Sequence, residues 1–105
     1  MLTEQRMNEL TPLVHKVIDK LFAQTDDRET VRVILLEECG DSLPLVREPK
    51  AIERIQLAVL KLSKGEAGKF FEAAALARMD WRDALVAAGF GNDVKAHLGW
   101  AEEMG

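Results

Sequence analysis

Cys39 is the only thiol in the chain, and it stands in the run Leu36-Glu37-Glu38-Cys39-Gly40-Asp41. A nucleophilic thiolate needs nearby positive charge or a helix N-terminus, whereas this run supplies three acids and the end of a helical segment, both of which raise a thiol's pKa. Cys39 is therefore expected to be structural. The same acids, Glu37, Glu38 and Asp41, offer oxygen ligands to a hard cation, so a small-ligand or metal-binding protein, or an enzyme built on them, is the alternative to weigh. Their spacing lacks the alternating ligands and the twelfth-position glutamate of a calcium loop. The histidines, His15 and His97, lie far apart in the chain and outside Glu-x-x-His or His-x-x-x-His spacing. Each has an acid one helical turn away, Asp19 for His15 and Asp93 for His97, which reads as a pair on a helix surface. No serine sits in Gly-x-Ser-x-Gly, and no glycine-rich phosphate loop occurs. No catalytic residue, metal or cofactor is expected.

The remaining chemistry is recognition. Trp81, Phe90 and Trp100 are half of the six aromatic residues and fall close together, interleaved with Arg78, Arg82 and His97. Tryptophan and arginine are favoured anchors at protein interfaces, so Trp81, Arg82, Phe90 and Trp100 form the expected partner-binding surface. Large aromatics also hold short helices to a small core, which is the competing use of the same residues. A helix-turn-helix over the C-terminal part is disfavoured by charge. Its recognition helix would present Lys95 against Asp93, Glu102 and Glu103, the wrong balance for a polyanion.

These residues need elements to carry them, and the apolar spacing supplies helices. Met7, Leu10, Leu13, Val14, Val17, Ile18, Leu21 and Phe22 step by three and four, predicting a helix over residues 3 to 24. Thr11-Pro12 should bend it or restart it, with Thr11 as N-cap and Pro12 at the first helical position. A second helix runs from a cap at Asp26 or Asp27 to about Glu38, with Gly40 taking the left-handed position after it. Residues 30 to 36 are rich in β-branched side chains and could be a strand, but no second strand is available to pair with it.

Gly40 to Pro49 reads as the longest loop. Pro49 then opens a central helix carrying Ile52, Ile55, Val59 and Leu62, ended by Gly65. Residues 66 to 79 form an alanine-rich helix. Asp80, with Asp83 in a capping-box arrangement, starts a short helix ended by Gly89, with Phe90 closing over that end. A last helix follows Gly91-Asn92, with Val94, Leu98, Ala101 and Trp100 turned inward. The expectation is an all-α protein, a compact bundle of five or six helices in a single domain over residues 1–105.

Composition sets the function classes. With 48% hydrophobic and 30% charged residues the chain is globular in type, and a net charge of −4 with interspersed signs gives no footprint for nucleic acid or anionic lipid. The opening residues show neither the basic nor the apolar segment of a signal peptide, and no apolar run approaches the ~20 residues that cross a bilayer. With one cysteine, no internal disulfide is possible, so a cytoplasmic location is expected. A chain of this length can bury roughly two-thirds of its unfolded surface, leaving a marginal core that oligomerisation would help. The expected function is thus a non-catalytic protein-interaction module, with a homo-oligomer or another protein as partner.

The segment Asp80-Trp81-Arg82-Asp83-Ala84-Leu85-Val86-Ala87-Ala88, with Glu53 to Gly65 upstream, resembles small bacterial helical proteins of uncharacterised activity. The likeness spans about half the chain. It implies an all-α fold and carries over no activity, cofactor or catalytic residue.

Overall fold

The first helix begins where the sequence allowed a restart. In a computed structural model that describes residues 10–40, 48–91 and 95–104, α1 runs over Pro12–Leu21 with Thr11 as its N-cap, the Thr11 hydroxyl accepting the Val14 N–H at 3.3 Å. Proline at the first position loses nothing there, because that N–H has no partner inside a helix. The helix ends at Leu21, three residues before the expected boundary, with Phe22 as C-cap. Residues 3–9 of the expected helix lie outside the described residues.

Residues 30 to 36 are helical, inside α2 (Arg28–Glu38). Val31 and Leu35, four apart, are buried on one face, while Val33 points outward. Asp27 occupies the N-cap position without a side-chain bond to the first turn. One expectation is corrected: Gly40 is not left-handed, since the positive-φ glycines are Gly65 and Gly89. Glycine is needed at position 40 for closeness, because a Cβ there would come within 2.5 Å of the Leu36 carbonyl oxygen. Most of the expected loop after it, residues 41–47, lies outside the described residues.

The third helix, α3 (Pro49–Ser63), is the centre of the molecule. Ile52, Ile55, Leu57, Ala58, Val59 and Leu60 are all buried, and the helix packs against α1 and against the three helices that follow it. It ends on two left-handed residues, Lys64 at φ 53° and Gly65 at φ 78°. Ser63 anchors this turn by donating to the Leu60 carbonyl at 2.6 Å and accepting from Gly65 N–H at 3.2 Å.

Against α3 lies α4 (Ala67–Met79), whose buried face is Phe70, Ala73, Ala74 and Ala77. The alanines let the two helices approach closely. Phe70 meets Phe22 edge-on at 6.3 Å between ring centres, which joins α4 to the end of α1. A short helix, α5 (Trp81–Ala87), follows at once. Its N-cap is Asp80 as expected, but the carboxylate takes the Arg82 N–H at 3.0 Å, the second helical position, where a capping box would use the third.

The other end of α5 closes as a Schellman motif. Phe90 N–H bonds the Leu85 carbonyl at 2.8 Å and Gly89 N–H bonds the Val86 carbonyl at 3.0 Å. Gly89, at φ 83°, supplies the left-handed residue this geometry needs. The last helix, α6 (Ala96–Met104), buries Ala101 and His97. Leu98, expected inside, is 38% exposed. His97 and Ala101 are four apart and share the inner face, which turns Leu98 about 100° away from it. Val94 lies outside the described residues.

The protein is therefore all-α, with six helices and no strand among the described residues. Its radius of gyration of 12.7 Å is close to the ~13 Å of a compact chain of this length. No helix among the described residues is long and apolar enough to cross a membrane.

Candidate functional site

Cys39 follows the last turn of α2 and is fully buried. Burial, with a smaller push from the Glu38 carboxylate and against the pull of Arg78, raises its thiol from an ordinary 9.0 to about 12. Such a thiol is protonated at neutral pH and has no nucleophilic character. Glu38 is held at 3.3 Å by Arg78 of α4, so it works as a strut between helices. Glu37 is exposed, Asp41 lies outside the described residues, and no three metal-ligating side chains gather among the described residues.

His15 does not pair simply with Asp19. Arg32, from α2, joins both: its Nε donates to His15 Nδ1 at 3.0 Å and its Nη2 to Asp19 Oδ1 at 2.6 Å, while Nη1 reaches Glu29 at 3.3 Å. The guanidinium thus clamps α1 to α2. Nδ1 is thus the accepting nitrogen of the His15 ring. His97 lies against the Phe90 ring, 6.1 Å between centres, and Asp93, its expected partner, is outside the described residues.

A cleft of about 500 Å³ opens between the start of α3 and α6, with Lys50, Glu53, Arg54, Lys95 and His97 on its walls. Glu53 accepts the Thr11 hydroxyl at 2.5 Å, and Arg54 donates from Nη2 to the Phe90 carbonyl. Arg54 Nε is buried with no hydrogen-bond partner among the described residues. The cleft mixes both signs of charge, which marks no ligand class.

The four residues expected to form a partner-binding surface do not form one patch. Phe90 is 1% exposed and belongs to the core, packed between Lys61, His97 and Trp100. Trp100 is half-buried against it at 6.1 Å. Trp81, half-buried, opens α5 with the exposed Arg82 guanidinium 5.1 Å from its ring. Phe90 is displaced because the closing turn of α5 needs an apolar residue just past the glycine to cover the helix end.

Val33, Val86 and Leu98 are exposed singly on three other helices, while the outer side of α4 exposes apolar residues in a row. Phe71 is 48% exposed and Met79 is 85% exposed, with Ala75 midway between them and also exposed. At four-residue spacing the three make one stripe. Gly68 continues it, with nothing within 4 Å of where its Cβ would be. Glu72 and Arg78 flank the stripe, both exposed. A helix apolar on both faces ordinarily has protein on both.

No known family, curated protein or solved structure matches the chain. The geometry alone must carry the functional reading.

Sequence reasoning passed over the α4 stripe although the signal was present. Adjacent Phe70 and Phe71 lie about 100° apart on a helix, so one narrow buried face cannot hold both. The run of alanines hid this, because alanine is equally at home on either side.

Proposed function

We propose that this protein is a non-catalytic protein-interaction module that binds through the outer face of α4. One observation carries the reading: α4 buries Phe70, Ala73, Ala74 and Ala77 on one side and leaves Phe71, Ala75 and Met79 exposed on the other. Isolated exposed apolar residues are ordinary, but an aligned row on one helix is the pattern of a helix that lays a second face on a partner. Trp81 and Arg82 open the next helix, with Asp80 alone between it and Met79, and remain candidate anchors at its start. The cytoplasm is the compartment that suits it, supported by a lone, buried cysteine and the absence of any need for a disulfide.

The test is a photo-activated crosslinking side chain placed at position 75, compared with one at the exposed Glu102 on α6, in living cells. The reading expects a discrete protein adduct at position 75 and none at 102. Equal or absent adducts at both positions would overturn it.

A small-ligand reading moves from Glu37, Glu38 and Asp41 to the cleft at Arg54, where the buried Nε of Arg54 favours it. Its test is a panel of small carboxylates and phosphates in thermal melts. A rise in melting temperature that Arg54→Ala abolishes would support it, and a flat panel would reject it.

A further inference from the structure

We infer that Met79 is an oxidation site that controls docking on α4: a hydroperoxide converts its thioether to the sulfoxide, and the oxidised face releases the partner. This rests on the interaction reading above and adds the regulation of its surface. Among the described side chains, Cys39 and Met79 carry sulfur, and their surroundings are opposite. Cys39 is 0% exposed and keeps its proton, so an oxidant finds neither access nor a thiolate there. Met79 is 85% exposed, the most open of the large apolar side chains in the described residues. A thioether has no proton to lose before it reacts, so exposure governs its oxidation.

The step balances with a hydroperoxide as the only oxidant. For hydrogen peroxide, a lone pair on Met79 Sδ attacks one oxygen, the S–O bond forms and the O–O bond breaks. Sulfur gives up two electrons and the peroxide takes them. The proton left on the transferred oxygen passes to the departing hydroxide, which leaves as water.

Position 79 gives this change its consequence. Met79 stands four residues after Ala75 and eight after Phe71, at the C-terminal end of the exposed row. Its sulfoxide puts a hydrogen-bond acceptor into a face that a partner must strip of water, while Phe71 and Ala75 offer that acceptor no donor side chain. Docking and oxidation therefore exclude one another. A bound partner shields the thioether, and the sulfoxide lowers the partner's affinity by about 10-fold.

Two measurements test this. In the first, purified protein is treated with graded hydrogen peroxide and mapped by peptide mass. Met79 should gain one oxygen as fast in the folded chain as in urea, while Cys39 stays unmodified until the chain is unfolded. Slow oxidation of Met79 in the folded chain, or Cys39 reacting first, overturns the inference. The second uses the crosslinking side chain at position 75 in cells, with and without hydrogen peroxide. The parent adduct should fall by up to about 10-fold on oxidation. Met79→Leu, apolar but without sulfur, should keep its adduct under peroxide, and Met79→Gln should give a weak adduct without any. Circular dichroism checks that each variant is folded. A parent adduct unchanged by peroxide, or an equal loss in Met79→Leu, overturns the inference and leaves the interaction reading standing. No adduct at position 75 in any variant, before or after peroxide, overturns both.

Discussion

Gln56, in the middle of α3, donates from Nε2 to the Cys39 carbonyl at 3.3 Å and to the Leu35 carbonyl at the same distance. The Leu35 carbonyl also receives the Cys39 N–H at 3.1 Å. One buried side chain therefore satisfies the end of α2 from across the core, a place where helix carbonyls lack partners of their own.

Replacing that amide should cost stability with little change of shape. Gln56→Leu strands the Cys39 carbonyl and is expected to cost about 1–3 kcal/mol in urea denaturation. Gln56→Glu should be worse at neutral pH, because it replaces the donor with a buried carboxylate facing two carbonyl oxygens. An unchanged unfolding midpoint for Gln56→Leu would show that the contact contributes nothing.

The buried thiol predicts an alkaline weakness. Cys39 holds its proton to about pH 12 in the folded chain, against an ordinary 9.0. Between those values the folded state binds one more proton than the unfolded state, so stability falls as pH rises from 9, by at most ~1.4 kcal/mol per pH unit. Below pH 9 this contribution is constant. Cys39→Ala should lose less stability over the same range, a difference that denaturation curves at pH 8 and pH 10.5 would measure.

Two glycines should respond differently to the same change. Gly89→Ala places a Cβ in ordinary contact with Lys61 Nζ at 3.6 Å, so its cost is the left-handed backbone alone, about 1–2 kcal/mol. Gly40→Ala meets the Leu36 carbonyl oxygen at 2.5 Å and must shift the end of α2. We expect Gly40→Ala to melt at the lower temperature of the two. The reverse order would contradict the packing described for the end of α2.

Arg32 clamps α1 to α2 through His15 and Asp19, with its side chain 19% exposed. Arg32→Met should destabilise by about 1–2 kcal/mol, and Arg32→Lys should not rescue it, because a single ammonium cannot reach both partners in the geometry of a guanidinium. Full rescue by lysine would mean that charge alone matters at this position.

The helices were legible in the sequence wherever a cap residue coincided with the apolar spacing. Thr11-Pro12, Pro49, Asp80 and Gly89 each mark a boundary that the structure keeps. Gly40 is ambiguous in the sequence, because a glycine after a helix signals either a left-handed turn or a close approach. Leu98 and His97 exchanged places because a short helix without a clear start leaves its rotation undetermined. The aromatic character of Phe90 points equally to an interface and to a core, and a core of short helices takes it inside. Arg54 and Glu53 were invisible as cleft residues, since what gives them that position is α6 folding back across α3, a contact between distant parts of the chain.

The central claim is that a partner protein covers the outer face of α4, and it can be measured without changing a residue. Met79 at 85% and Val86 at 68% exposure are both open in the single chain. A soluble paramagnetic agent, read on their methyl signals by NMR, should broaden both in dilute protein. In concentrated cell extract, with only this protein isotope-labelled, Met79 should become protected while Val86 stays broadened. Equal broadening of the two in extract would contradict the account.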